Sequence, residues 1–91
     1  MTVVVRVPAQ LRTLTAGARE VSCEGNTVGE VLKALDVAHP GFGDRLFDED
    51  GALRRFVNVF VADEDVRFLD GLDTPLFEGQ TLSIVPAVAG G

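Results

Sequence analysis

The segment that most constrains the fold is residues 27–38, where a capped amphipathic helix interrupts a chain otherwise patterned as strands. Thr27 and Glu30 have the spacing of a capping box, in which the two side chains satisfy free backbone N–H groups at a helix start. Apolar residues then recur at helical spacing along one face. They are Val28, Val31, Leu32 and Leu35. We therefore predict a helix over residues 28–38, ending before Pro40, that buries a single face.

Strand patterns lie on both sides of this helix. Before it, residues 2–7 and 18–23 alternate, at a spacing that suggests an antiparallel hairpin. After it, residues 54–61 are the clearest β stretch, and residues 66–68 and 81–85 form two more strands. The order β-β-α-β-β-β predicts an α+β fold, a β-grasp with a mixed sheet of about five strands and one main helix on one face. In that fold the first and last strands lie parallel at the sheet centre.

The connections carry weaker patterns. Residues 41–53 are irregular and acidic, and a structureless segment of that length is unusual in a compact domain. We predict a short helical turn at residues 44–47 that buries Leu46 and Phe47. Farther along, Asp63-Glu64-Asp65 is predicted to be a turn, and a loop is predicted to lead to the last strand.

The chain is predicted to divide into a domain at residues 1–86 and a flexible tail at residues 87–91. Ninety-one residues with 46% hydrophobic content are typical of one globular domain, and Pro86 cannot extend the strand hydrogen bonds. Gly90 and Gly91 lack Cβ atoms and fit a narrow channel. A terminal carboxylate presented this way can be adenylated with ATP and then attacked by a nucleophile. The alternative is a frayed end, since two glycines arise there by chance in roughly one chain in 200.

Composition excludes several kinds of function. A net charge of −6 disfavours nucleic acid and favours a partner with a basic surface. No apolar run approaches the ~18 residues of a membrane span, and no signal peptide is apparent. Cys23 is the only cysteine, which fits a reducing cytoplasm and predicts a buried strand residue. With no CxxC motif, His/Cys cluster or phosphate loop, we expect no bound metal or cofactor. His39 is explained by its place near a helix C-terminus, where a positive charge is mildly favoured.

The closing segment, residues 77–91, resembles that of the ubiquitin-like sulfur carriers, which include thiamin-biosynthesis carriers and molybdopterin synthase small subunits. The shared pattern is a glycine turn, an alternating strand and a Val-Ala-Gly-Gly or Val-Thr-Gly-Gly end. The resemblance covers essentially the whole chain. Residues 55–61, residues 63–68 and the ending at 85–91 look like the CysO-type carriers of actinobacterial cysteine biosynthesis. Gln80 departs from the frequent aspartate after the glycine, a change that we expect to matter little.

This resemblance implies a carrier protein rather than an enzyme. It implies that an E1-like activating enzyme uses ATP to adenylate the Gly91 carboxylate and converts it to a thiocarboxylate, with Gly90 giving a slim approach. A separate sulfur-accepting synthase then consumes the sulfur. The carrier itself is expected to be a monomer when free. Cysteine is the leading candidate product, while thiamin, molybdopterin or a sulfur-containing secondary metabolite would use the same chemistry.

A docking surface is expected because a flexible tail alone gives little affinity. The residues predicted to bind a partner are Phe56, Asn58, Phe60, Val88 and Ala89. If the alternating valines of residues 54–61 face the helix, the aromatic residues between them point outward. Exposed aromatic residues often mark partner sites. The alternative is that both phenylalanines are core residues covered by the loop at residues 69–79.

Other interpretations stay open on the sequence alone. The acidic runs at residues 48–50 and 63–65 lack the ligand spacing of a calcium loop and are predicted to be solvated turns.

Three alternative functions fit the same β-grasp pattern with a diglycine end. They are a molybdopterin synthase small subunit, a ubiquitin-like modifier joined through Gly91 to target lysines, and a plain β-grasp interaction module. Lys33 is the only lysine in the chain.

Overall fold

A five-stranded mixed sheet forms the frame of the protein, as seen in a computed structural model that describes residues 2–86. Its strands are β1 (Thr2–Arg6), β2 (Glu20–Glu24), β3 (Val57–Val61), β4 (Glu64–Asp65) and β5 (Thr81–Pro86). The spatial order is β2-β1-β5-β3-β4. β1 and β5 are parallel, and the other neighbours are antiparallel. The predicted hairpin and the parallel pairing of first and last strands are confirmed.

Helix α1 (Val28–Ala38) has the predicted bounds. The Thr27 hydroxyl accepts a hydrogen bond from the Glu30 N–H at 3.2 Å, and the Glu30 carboxylate accepts from the Asn26 N–H at 3.0 Å. Gly25 lets β2 run directly into this cap, because a Cβ there would lie 2.8 Å from the backbone nitrogen of Val31. The capping box and the close approach together fix the angle at which α1 crosses the sheet.

The core lies between α1 and one face of the sheet. The predicted apolar stripe of α1 is fully buried, as are the alternating valines of β1. Leu82 and Ile84 of β5 pair in register with Val61 and Val59 of β3, so these two neighbouring strands contribute paired apolar side chains to the core. Cys23 is buried in β2, as predicted. Each strand therefore presents one face to the helix and the other face outward.

A second short helix, α2 (Phe42–Leu46), starts earlier than predicted. Asp36 explains the difference, because its carboxylate accepts from the N–H groups of Gly41 and Gly43 at 3.3 and 2.8 Å. Gly41 has φ +116°, which turns the chain sharply after α1. Leu46 is buried as predicted, but Phe42 is the fully buried aromatic residue and Phe47 is only half-buried.

The fourth strand lies at a different position from the predicted one. Residues 66–68 form a 3₁₀ helix, and Glu64–Asp65 pair with β3 instead. The turn between β3 and β4 has positive φ at both Ala62 and Asp63, at 50° and 68°. Such a turn normally has Asn-Gly or Asp-Gly at these positions, so the usual sequence signal is missing. β3 also begins at Val57 rather than at residue 54.

The remaining connections contain two further 3₁₀ helices. One spans Ala9–Thr15 in the β1–β2 connection, with Leu11 buried. The other, Gly71–Asp73, lies in the predicted loop before β5. That loop packs against the start of α1, where the Val28 N–H donates to the Thr74 carbonyl at 3.0 Å. Within residues 2–86, no helix is long and apolar enough to cross a membrane.

Candidate functional site

Strand β5 brings the chain to one particular end of the sheet. Pro86 pairs with Val57 at the start of β3, and Ser83 pairs with Arg6 at the end of β1. The chain thus reaches residue 86 between these two neighbouring strands, and we call this end of the molecule the tail base. The predicted residues Val88, Ala89, Gly90 and Gly91 lie outside the described residues, and their roles stay predictions.

The outer face of the sheet displays the three predicted docking residues that the structure describes. Asn58 and Phe60 alternate with the buried valines of β3 and are half-buried on the side away from α1. Phe56, just before the strand, is 55% exposed. The loop at residues 69–79 packs on the helix side, so the alternative interpretation that both phenylalanines are core residues beneath it is wrong.

Val85 extends this outer face to the tail base. It pairs with Asn58 across the β3–β5 ladder and is 46% exposed. The neighbouring pair on the same face is Phe60 and Ser83. We did not predict Val85, because alternation alone does not show which face of the last strand is buried. The outer surface made by Phe56, Asn58, Phe60 and Val85 is the docking face discussed below.

Arg67 was also missed by the sequence analysis, and it organises the docking face. Its guanidinium donates to the Asn58 side-chain oxygen and, at 2.9 and 2.7 Å, to the carbonyls of Arg54 and Val57. The same guanidinium also donates to the carbonyl of Arg55, at 3.4 Å. Arg67 therefore fixes the segment that presents Phe56. Because the Asn58 oxygen is held by this arginine, it has a structural role besides the predicted one.

Gln80 has a larger role than the sequence suggested. Its side-chain oxygen accepts from the Phe77 N–H at 2.8 Å, and its backbone carbonyl accepts from the Val4 N–H at 2.9 Å. The residue closes the turn before β5 and joins that turn to β1. The bond to Val4 uses the backbone and does not depend on the side chain, so our expectation that the change from aspartate matters little stays a prediction.

The titratable groups show little sign of a catalytic centre within residues 2–86. No group of three or more His, Cys, Asp or Glu side chains in this part of the chain could hold a metal ion. Burial raises the pKa of the Cys23 thiol, which favours the protonated, unreactive form. The predicted chemistry involves Gly91, which lies outside the described residues.

The fold defines the class of protein to which the chain belongs. One main helix on a five-stranded mixed sheet, with parallel first and last strands, is the ubiquitin-like β-grasp arrangement. The chain belongs to the ThiS family, whose profile matches residues 5–91. The resemblance to ubiquitin-like sulfur carriers is confirmed.

Individual relatives agree with this family. The chain is 46% identical over 93 aligned residues to the sulfur carrier protein CysO of Mycobacterium tuberculosis, with 100% of both chains covered. A chain in the crystal structure of the Amycolatopsis orientalis BexX/CysO complex is 47% identical, with a TM-score of 0.91 and coverage of 98% of this chain and 99% of that one. Small archaeal modifier protein 1 of Haloferax volcanii is 32% identical, with a TM-score of 0.84 and full coverage of both chains. These relatives are named as carriers or modifiers and not as enzymes.

Proposed function

We propose that this protein is a sulfur carrier, the co-substrate of two enzymes. An E1-like activating enzyme adenylates the Gly91 carboxylate with ATP and converts it to a thiocarboxylate, and a sulfur-accepting synthase then consumes it. The observation that supports this most is the end-to-end similarity to proteins named CysO sulfur carriers. The position of β5 supports it further, because pairing on both sides gives the predicted tail a rigid base.

The chemistry needs an activated carboxyl group. A Gly91 carboxylate oxygen attacks the α-phosphorus of ATP and releases pyrophosphate. A sulfide ion bound to the activating enzyme then attacks the acyl carbon and forms a C–S bond, while the C–O bond to AMP breaks, which leaves the thiocarboxylate and AMP. The carrier supplies the carboxylate and the side-chain-free approach through Gly90, and ATP is bound by the partner. We place these steps in the cytoplasm, where ATP and reduced sulfur are both present.

The docking face accounts for partner affinity in this proposal. Ordering a flexible tail costs about 1–2 kcal/mol per residue, so contacts outside the tail must contribute binding free energy. Phe56, Phe60 and Val85 offer apolar area next to the tail base, where an enzyme that receives Gly91 has to approach. Val88 and Ala89 would continue these contacts toward the partner's channel.

The loading reaction tests the proposal directly. Incubation with ATP, sulfide and an activating enzyme that loads CysO proteins should raise the intact mass by the difference between one sulfur and one oxygen atom. Deletion of Gly91 should abolish this change and leave the melting temperature unaltered. An unchanged mass for the full chain, or a large loss of stability on deletion, would contradict the proposal.

The docking face has a matched test, because the chain carries two comparably exposed phenylalanines. Phe56 lies on the docking face, whereas Phe77 lies in the turn before β5, at the opposite end of that strand; they are 55% and 61% exposed. Phe56→Ser should raise KM for loading about tenfold, a cost of about 1.4 kcal/mol, with kcat at saturation unchanged. Phe77→Ser should leave both constants unaltered. Equal effects of the two substitutions would show that the docking face lies elsewhere.

The sulfur acceptor follows from the same relatives. Similarity to CysO proteins favours a synthase that makes cysteine over one for thiamin, molybdopterin or a secondary metabolite. Mixing the loaded carrier with candidate synthases and measuring loss of the added mass identifies the acceptor. If a cysteine-forming synthase leaves the thiocarboxylate intact while another consumes it, the cysteine assignment is wrong.

A second candidate is a protein modifier, favoured by the 32% identity to small archaeal modifier protein 1. In that case Gly91 forms isopeptide bonds with lysine side chains of target proteins. Proteolysis of cell lysate followed by mass spectrometry would reveal lysines carrying the carrier's C-terminal residues. Such adducts, lost on deletion of Gly91, would establish conjugation as an activity of this chain.

A further inference from the structure

Three arginines gather where β1 turns toward β2. Arg6, Arg12 and Arg19 line one open concave surface together with Val7 and Glu20, and we call these three residues the hairpin arginines. Among residues 2–86, Glu20 is the one carboxylate that lines this surface, and it pairs with Arg6 at 3.5 Å. A chain with a net charge of −6 thus has a local excess of positive charge at this place.

The backbone places the hairpin arginines close to the tail base. Arg6 is in register with Ser83 of β5, so the end of β1 lies beside the middle of that strand, three residues before Pro86. The Val7 N–H donates to the Arg19 carbonyl at 2.8 Å, which puts Arg19 directly opposite Val7 on the neighbouring segment. The Arg12 Nε donates to the Val7 carbonyl at 3.1 Å and brings its guanidinium to the same position. The cluster is therefore one strand away from the place where the chain reaches residue 86.

We propose that the hairpin arginines bind acidic side chains at the entrance through which a partner enzyme receives the tail. The inference rests on the proposed function and deepens it, because it gives the charge of the partner surface. An enzyme that takes up Gly91 has to approach the tail base and therefore meets these guanidinium groups. Arginine binds carboxylates through two parallel N–H donors, which fixes orientation as well as supplying attraction.

The charge distribution favours an acidic protein surface over nucleic acid as the ligand. A long polyanion such as nucleic acid extends well beyond the cluster, where the acidic remainder of a chain with a net charge of −6 repels it. Against a folded partner with a local acidic entrance, however, a positive patch beside the tail accelerates productive encounters and disfavours wrong orientations. No local sequence pattern indicates the cluster, because the three arginines come together only when β1 pairs with β2 and the Arg12 side chain donates back to Val7.

The first test needs no partner enzyme. Hexaglutamate is titrated into the full chain at low ionic strength, and the Nε–Hε resonances of the arginines are followed by NMR. Arg6, Arg12 and Arg19 should shift together, while the resonance of Arg45, on α2, should remain unchanged. Equal shifts of Arg45, or no shift at all, would overturn the inference. Shifts with inorganic phosphate but not with hexaglutamate would overturn it in favour of a phosphate ligand.

The second test uses association kinetics with the activating enzyme. Arg19→Glu and Lys33→Glu each reverse one exposed positive charge, but Lys33 lies on α1 away from the cluster. Arg19→Glu should lower the association rate constant about threefold to tenfold at low salt, with convergence at high salt and an unchanged dissociation rate. Arg19→Gln should have about half the effect on the logarithm of the rate constant, and Lys33→Glu should have little effect.

The two proposals fail in different ways. If the wild-type chain gains no sulfur, the proposed function is wrong, and the hexaglutamate titration still decides whether the cluster binds carboxylates. If loading proceeds but Arg19→Glu and Lys33→Glu associate at equal rates, the proposed function stands and the inference about the hairpin arginines is overturned. Melting temperatures equal to that of the wild type would show that a difference in association rate between the variants is not caused by unfolding.

Discussion

At the scale of single residues, Arg67 joins parts of the molecule that are separate in sequence. It lies in the 3₁₀ helix after β4, yet its guanidinium reaches the carbonyls before β3 and the side chain of Asn58. No local pattern predicts such contacts, because they depend on the register between distant segments. Val85 was missed for the same reason. Gly91, in contrast, was singled out from its type and position alone, because its predicted chemistry needs no neighbours.

Replacement of Arg67 should show how much its guanidinium hydrogen bonds contribute to the free energy of unfolding. Arg67→Lys keeps the positive charge but cannot reach several acceptors at once, so we expect it to lower the free energy of unfolding by about 1.5–3 kcal/mol. Arg55→Lys is the control, since Arg55 is exposed like Arg67 but its guanidinium donates no hydrogen bond to a described residue. Urea unfolding of both variants measures the difference. Equal stability of the two variants would show that the guanidinium contacts are not stabilising.

Cys23 should be inert in the folded protein and should make stability depend on alkaline pH. Burial raises the pKa of its thiol, so the folded state keeps the proton while the unfolded state releases it above about pH 8.5. The contribution of this residue is therefore complete below that pH and decreases as the pH rises further. Between pH 7 and pH 10 the wild type should lose more unfolding free energy than Cys23→Ala does. Parallel pH profiles would contradict this expectation.

At the scale of secondary-structure elements, the predictable parts are those with local signals. α1 was predicted to the residue because its cap and apolar stripe are contained within twelve consecutive positions. α2 and β4 were misplaced, because Asp36 caps α2 from the preceding helix and the turn before β4 has Ala62 and Asp63 in place of glycine. The outward orientation of Asn58 and Phe60 was predictable from alternation along β3, whereas their partners across β5 require the sheet. Their role in docking stays a prediction.

The capping box offers a test at this scale. Thr27→Ala removes the acceptor for the Glu30 N–H and should lower the free energy of unfolding by about 1 kcal/mol. Thr13→Ala makes the same chemical change at an exposed position and should have an effect of less than about 0.5 kcal/mol. Thermal unfolding of the two variants checks the prediction. A larger loss for Thr13→Ala would mean that the helix cap is not what holds α1.

At the scale of the whole molecule, the central position of β5 makes the sheet depend on its last strand. β1 with β2 and β3 with β4 form two separate pairs, and β5 is the element that joins them. The pairing of Val4 with Thr81 connects opposite ends of the described chain. The β-grasp topology was predictable from the order of elements, since few arrangements of five strands and one helix bury both apolar faces.

Fragment complementation tests this dependence. A chain of residues 1–79 should show no cooperative thermal transition, because its two strand pairs share no hydrogen-bonded edge. Addition of a synthetic peptide of residues 80–91 in excess should restore the transition, with a midpoint that rises with peptide concentration. A cooperative transition for the fragment alone would show that β5 is dispensable for the core.

The same arrangement has a consequence for synthesis in the cell. A ribosome makes the chain from its N-terminus, so β1 waits for nearly the whole length of the protein before its parallel neighbour emerges. The sheet cannot be completed until β5 has left the exit tunnel. A prematurely terminated product therefore stays unfolded and open to proteases. Only a chain synthesised through β5 can complete the sheet, so the pool of stable molecules is limited to those that contain the tail base.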